Sequence, residues 1–440
     1  MTIYDIFLIP LYLAIFYLFA RRTVSANAKD PVYKVYYIKG LNYKFSGTIA
    51  FTFIYLFYYK GGDTLEYYYA AKPMVKLLLL DPVWFFKFIV GLYNHYPEYL
   101  GVDLSQDAGM YLTRGTATLT TIRIASVLNL LSCNSFVVLS LFFAFICYQF
   151  IWRVFRLLVS LYPALHKQLA FAFLMIPSVI FWGSGIGKDT IMLASIMSIF
   201  YCFYTLFIKK KIRPSYIFLL ITSMYLTALI RGFILFTIIP CLMLMSVVYY
   251  QRQIKSSVLR FLIGPIILVA GMGGAFFFVK SLGDSVDSYK MDSLAKKAEG
   301  FRSWHSTLNR TEGGSGYTIG EDFSYTPAGV LAHAPIAAAI ALFGPFPWQI
   351  RNFVMLLSGV EALAFLYFTI KIVFNRKIYR LFGVLSSDPI IAFCIPFTLI
   401  LAVAIGLTSF NYGALVRYKI PVLPFFALSI ILINYNLDKK

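Results

Sequence analysis

Charge is scarce in this sequence. Of its 440 residues only 13% are Asp, Glu, Lys or Arg, while 60% are hydrophobic and the mean hydropathy is +0.75. An ordinary soluble globular domain does not have that balance, so the chain reads as a polytopic membrane protein. Cysteine is also scarce: Cys133, Cys147, Cys202, Cys241 and Cys394 show no CxxC spacing. Four of these lie in apolar runs, where they behave as small hydrophobes, so neither a disulfide framework nor a metal site is indicated. The histidines His95, His166, His305 and His333 are scattered rather than spaced as ligands. A divalent metal is therefore compatible with the chain but not indicated, and no cofactor is. Acidic residues number 19 against 39 basic ones, for a net charge of +20. In a membrane protein basic residues collect at cytoplasmic loops and lipid head groups, and most fall there here, which argues against a nucleic-acid partner.

Hydrophobic runs set the topology. A spanning helix needs roughly 20 mostly apolar residues, and short loops rich in Lys and Arg stay in the cytoplasm. The first stretch, YDIFLIPLYLAIFYLFA, has no basic segment before it and no small-residue cleavage site after it, so it reads as a retained anchor. It spans 4–20 and ends at Arg21-Arg22, which puts the N-terminus outside and 21–44 in the cytoplasm. Further spans are expected at 45–59, 135–152, 168–182, the run before KKKIR (209–213), the run ending at Arg231, the run before QRQIKSSVLR, the run ending near Lys280, and 352–373, 389–407 and 420–434. That makes about eleven, with the C-terminus cytoplasmic. VKLLLLDPVWFFKFIVGLY and TRGTATLTTIRIASVLNLLS suit helices lying in the interface, within an outer-face segment 60–134. Residues 281–328 form a long outer loop, and AHAPIAAAIALFGPFPW, interrupted by three prolines, reads as re-entrant. The expected fold is all-α: one integral membrane domain over 1–440, a bundle with interfacial or re-entrant helices on its outer face. No cytoplasmic segment is long enough to bind ATP.

The residues of chemical interest fall on the outer side. GGDTLEYYY places Asp63 and Glu66 three residues apart just after a span, so that on a helix they share a face beside a tyrosine cluster. Such carboxylates serve as general base or ion site, although a solvated loop ended by Gly61-Gly62 explains them as well. FWGSGIGKDT fails the nucleotide-loop pattern: Asp189 stands where Ser or Thr is required, and Trp182 where the first Gly belongs. What survives is Lys188 and flexible amides at a helix start, a place for a phosphate, with Asp189 able to cap; a bare tight turn is the plainer alternative. Arg231 sits between two apolar runs, where an arginine is costly unless it faces an anion or a polar cavity. Arg417, with Tyr418 and Lys419 beside it, leads into the last span and could equally snorkel to head groups. Glu361 lies near mid-span, as a proton or ion site or as a hydrogen-bond partner to a neighbouring helix. Asn309-Arg310-Thr311 matches the glycosylation pattern but is common by chance.

Together, the outward acidic motif (Asp63, Glu66), the outer-face basic residues, the late outer loop 281–328, LFGPFPWQIRN (342–352) and RYKIPVLPF (417–425) resemble the polytopic glycosyltransferases of GT-C-like fold and the related O-antigen or exopolysaccharide polymerases of bacterial envelopes. The resemblance implies a bacterial inner-membrane enzyme with a polyprenyl phosphate- or pyrophosphate-linked sugar as donor and a glycan acceptor at the outer face. Lys188, Arg231 and Arg417 would then clamp the donor phosphate, and Asp63 would take the acceptor proton. Two departures stand out: the acidic motif follows the second span rather than the first, and it reads Asp-Thr-Leu-Glu rather than an adjacent acidic pair. The competing readings are a transporter or flippase of lipid-linked anionic glycans, gated through Glu361 and 333–348, and a non-catalytic scaffold of an envelope or secretion complex.

Overall fold

In lipid every backbone polar group must be satisfied within the protein, which leaves helices as the simplest way across. The named elements of the computed structural model are all helical, with an isolated antiparallel bridge between Gly316 and Asn411. The structure describes residues 3–100, 112, 115–251, 266, 269–271, 273–274, 300, 316–317, 319, 323, 326–350, 353–374 and 378–439. Most of the eighth expected span and most of the 281–328 loop, with His305 and Asn309-Arg310-Thr311, lie outside these residues. The chain divides into two compact units: Met1–Met175, Val179–Tyr201 and Leu219–Arg231 form one, and Ile176–Ser178, Cys202–Phe218 and Gly232–Lys440 the other.

In the first unit, α1 (Asp5–Ala26) is followed by α2 (Ile38–Phe53), which is extended at both ends by π-helical turns, Tyr33–Tyr37 and Ile54–Tyr59. Much of the segment 21–44, expected on the cytoplasmic side, is helix, and Lys44 is buried. Lys60 adopts a left-handed conformation that ends the run, and Gly62, at φ +102°, caps the next helix in a region few other residues enter. That helix is α3 (Asp63–Leu80); Asp81 then stops it and starts α4 (Pro82–Ile89) by accepting the Trp84 N–H at 2.9 Å. α5 (Thr116–Asn129) and α6 (Phe136–Leu161) complete the hydrophobic frame, with Ser135 capping α6. Its aromatic core includes Phe16, Phe45 and Phe145, and Tyr37 with Tyr148 and Trp152. α7 (Lys188–Phe203) and α8 (Pro214–Arg231) begin and end, respectively, in this unit.

The second unit holds α9 (Phe233–Tyr250), α10 (Pro327–Phe343), α11 (Phe353–Val373), α12 (Pro389–Ser409), α13 (Tyr412–Tyr418) and α14 (Leu423–Lys439). α10 occupies the segment expected to be re-entrant: Pro335 is accommodated inside one helix, while Pro345 and Pro347 fall beyond its end. It packs so closely on α12 that a Cβ at Gly406 would collide with the Ala337 carbonyl, the small-residue contact that lets membrane helices approach.

Among the described residues seven helices are long and apolar enough to cross a membrane, or eight if α13 and α14, bent by 65°, count as one broken span. Such a pattern is that of a multi-pass helical membrane protein. The seven overlap the expected first, third, fifth, sixth, seventh, ninth and tenth spans, and the bent pair overlaps the last. The expected fourth is a string of short pieces, His166–Ala170, Phe171–Met175 and Pro177–Trp182, interrupted before Pro177. The expected second lies in the long helix around α2, whose apolar content is diluted by Asn42, Lys44, Ser46, Thr48 and Thr52.

Candidate functional site

Two consecutive residues on α7, Lys188 and Asp189, meet side chains from three other helices of the first unit. They stand in the first turn of α7, where the macrodipole favours negative charge. Lys188 Nζ donates to Thr118 Oγ1 on α5 at 3.0 Å and lies 5.8 Å from the centroid of the Tyr67 ring on α3. Asp189 Oδ1 accepts from Arg231 Nη2 at the end of α8 at 2.5 Å, and both side chains are nearly buried. This ion pair satisfies the demand that made Arg231 conspicuous, since a guanidinium among apolar helices needs an anion.

The segment 61–69 is helical from Asp63 onward, and Asp63 and Glu66 share its first turn, both half-buried. Asp63 precedes Tyr67 by four residues and so stands one turn away on the same helix face, while Glu66 is Tyr67's neighbour in sequence. Lys188 thus meets Tyr67 of α3 and Thr118 of α5, Asp189 meets Arg231, and Asp63 and Glu66 lie in the first turn of the helix that bears Tyr67. An ammonium set against a tyrosine ring and a hydroxyl is a group that can bind an anion, and a carboxylate is one that can accept a proton.

The loop before α7, FWGSGIGKDT, is largely enclosed. Trp182 to Ile186 are buried, and Gly187 and Lys188 are half-buried. Two of its glycines, Gly183 and Gly185, are required by packing, whereas a Cβ at Gly187 would meet nothing within 4 Å. A Cβ at Gly185 would collide with the Phe51 ring, and one at Gly183 would stand 2.6 Å from the Val179 carbonyl and 3.3 Å from Lys44 Nζ. Lys44 Nζ in turn donates to the Gly183 carbonyl at 2.5 Å, and Thr190 Oγ1 donates to the Gly185 carbonyl at 2.7 Å. A buried ammonium and a hydroxyl therefore hold the loop that presents Lys188.

Arg417 and Tyr418, half-buried on α13, and Glu361, buried on α11, belong to the second unit. Glu361 Oε2 accepts the Ser178 N–H at 2.8 Å, which gives this mid-span carboxylate a backbone partner. Lys419, fully buried, donates to the Gly344 carbonyl at 2.8 Å beyond the end of α10. The described residues contain no group of three or more His, Cys, Asp or Glu side chains placed to hold a metal ion.

Sequence reading missed Thr118, Lys44 and Lys419 as members of these arrangements. Thr118 is one of five threonines in TATLTT and its neighbours, and only the fold selects it. Lys44, in YKFSGTIAF, left a usable trace: a lone lysine followed by small and apolar residues. No family model, no curated protein and no solved structure matches this chain.

Proposed function

We propose that the protein is a membrane glycosyltransferase or polysaccharide polymerase of GT-C-like fold, with about eleven spans, acting in the bacterial inner membrane on a polyprenyl phosphate- or pyrophosphate-linked sugar and a glycan acceptor. The observation that carries this reading is the grouping of Lys188 with Tyr67 and Thr118 beside the first turn that bears Asp63 and Glu66. In it Lys188 stabilises the charge that develops on the leaving phosphate, where a preorganised cation is most effective. Asp63 takes the acceptor hydroxyl proton, and Tyr67 gives the sugar a face to stack on. Arg231, held by Asp189, keeps the first turn of α7 in register and adds positive charge behind Lys188. Arg417, on α13, is proposed as a phosphate-binding residue, with Tyr418 a further candidate beside it.

The test is product formation by reconstituted protein supplied with lipid-linked sugars, with folding monitored in parallel. Lys188→Ala and Asp63→Asn are expected to lower turnover by about 100-fold or more while the protein stays inserted and monodisperse. Wild-type turnover in Lys188→Ala would reject the assignment.

A transport reading draws on one feature, the bend of 65° between α13 and α14 beside the buried Lys419, because broken helices at buried charge are how transporters build mid-membrane sites. Lipid-linked substrate that crosses proteoliposomes unchanged would favour that reading over transfer.

A further inference from the structure

One face of α5 carries Thr118 toward Lys188; another lines a separate cavity. This cavity, of about 570 Å³, lies within the first unit between the end of α4, α5, α6 and α8, and its size is that of an ordinary small-ligand site. Its polar groups are Asn94, Thr116, Thr120, Arg123 and Tyr225, and the rest of its wall is apolar. A second, smaller cavity of about 150 Å³ shares four lining residues with it, Ile124, Leu128, Ile146 and Leu226. From that shared wall it continues between Phe143, Phe150 and Ala194 on α6 and α7, with almost no polar surface. The two make one site with a polar head end and an apolar extension that runs along helices long and apolar enough to cross the bilayer.

Arg123 sets the chemistry of the head end. Its Nε donates to the Phe88 carbonyl at 2.8 Å, and Nη2 donates to Asn94 Oδ1 at 2.6 Å and to the Tyr93 carbonyl at 3.2 Å. Those bonds fix the plane of the guanidinium. They leave Nη1, which makes no hydrogen bond among the described residues, beside Gly91, another cavity-lining residue. Gly91, at φ +92°, presents no side chain there: a Cβ would stand 3.6 Å from Nη1. Arg123 forms no ion pair among the described residues, which therefore compensate its charge only through hydrogen bonds, and its partial burial depresses its pKa. An oriented guanidinium with spare donors over an apolar trench calls for an anion attached to a hydrocarbon chain.

We propose that this cavity binds a membrane phospholipid of net negative charge, its phosphate on Arg123 Nη1 and one acyl chain in the apolar extension past Leu226. A free phosphate leaves the extension unfilled, and a zwitterionic lipid such as phosphatidylcholine brings a second positive charge to a cavity that already holds the Arg123 guanidinium. The site is independent of the transferase reading, because lipid retention is measured without glycan chemistry.

The test uses full-length protein purified in detergent, titrated with phosphatidylglycerol or phosphatidylcholine, the bound lipid being counted by native mass spectrometry. Wild type is expected to retain phosphatidylglycerol in preference to phosphatidylcholine. Arg123→Gln should weaken that retention roughly tenfold or more, the worth of a charge-assisted hydrogen bond. Leu226→Trp, which fills the extension and leaves the hydrogen bonds of Arg123 intact, should weaken it as well, so the proposal stays testable if Arg123→Gln misfolds. Inorganic phosphate at the same concentration should displace nothing. Wild-type retention by either variant, equal binding of phosphatidylcholine, or displacement by inorganic phosphate overturns the proposal.

Discussion

Burying one charge of a pair without the other is among the costliest changes a protein can suffer, about 3–5 kcal/mol. Arg231 and Asp189 are in that position, so Arg231→Ala is expected to unfold in detergent at markedly lower temperature than wild type. Arg231→Ala combined with Asp189→Ala should recover part of the loss, since the stranded carboxylate is gone; a double-mutant cycle by thermal unfolding measures the difference. Activity lost in Arg231→Ala alone therefore reports on folding as much as on phosphate binding. Lys188, half-buried and bonded through Thr118 and the Tyr67 ring, is the cleaner probe. That Arg231 needed a partner was legible in the sequence, because arginine between apolar runs is expensive. Which anion it would find was not, because Asp189 is 42 residues away and only the packing of α7 against α8 selects it.

Local chemistry sets one of the breaks between helices, and packing fixes another. Asp81-Pro82 breaks the run between α3 and α4 because the Asp81 carboxylate caps α4 and accepts the Tyr99 hydroxyl at 2.7 Å. The cap's backbone hydrogen bond, and next the Tyr99 bond, hold the Asp81 pKa below its ordinary value of 3.8. A carboxylate whose folded pKa is depressed adds stability that is fully present above its unfolded pKa and is lost as pH falls through the folded one. The thermal shift between wild type and Asp81→Ala should accordingly be constant near neutrality and shrink once pH drops below 3.8. At the other break, Gly185→Ala places a methyl against the Phe51 ring and is expected to destabilise by about 1–3 kcal/mol. Pairing it with Phe51→Leu should restore part of the melting temperature, which a strained backbone without a clash at Phe51 would not allow. The sequence marked 181–190 as a glycine-rich turn at a helix start. It could not reveal that Lys44 and Phe51, from a helix more than a hundred residues earlier, close over it.

Each unit buries an aromatic and aliphatic core and leaves large apolar side chains exposed, such as Leu11, Leu18 and Phe19 on α1 and Leu357 and Val360 on α11, as a lipid-facing surface does. The topology proposed for the whole chain has a direct test in vesicles of defined orientation. Cys133 is exposed and the other four cysteines are buried, so an impermeant thiol reagent should label wild type once, from the outer side. With Cys133→Ser in place, Ile212→Cys, next to the basic run 209–211, should be reached only from the cytoplasmic side; labelling from the outer side would invert the assignment. By itself the sequence determined the class, an all-helical membrane protein, because hydropathy and helix-breaking residues act locally and are read locally. It also supplied the first-turn carboxylates of α3 and the lysine of α7. The tertiary structure alone decided which of the sparse polar residues meet: Asp189 with Arg231, Lys188 with Thr118, Lys44 with the Gly183 carbonyl, and Arg123 with a cavity. In an apolar interior a polar group is stable only where another reaches it, and that reach depends on how distant helices pack.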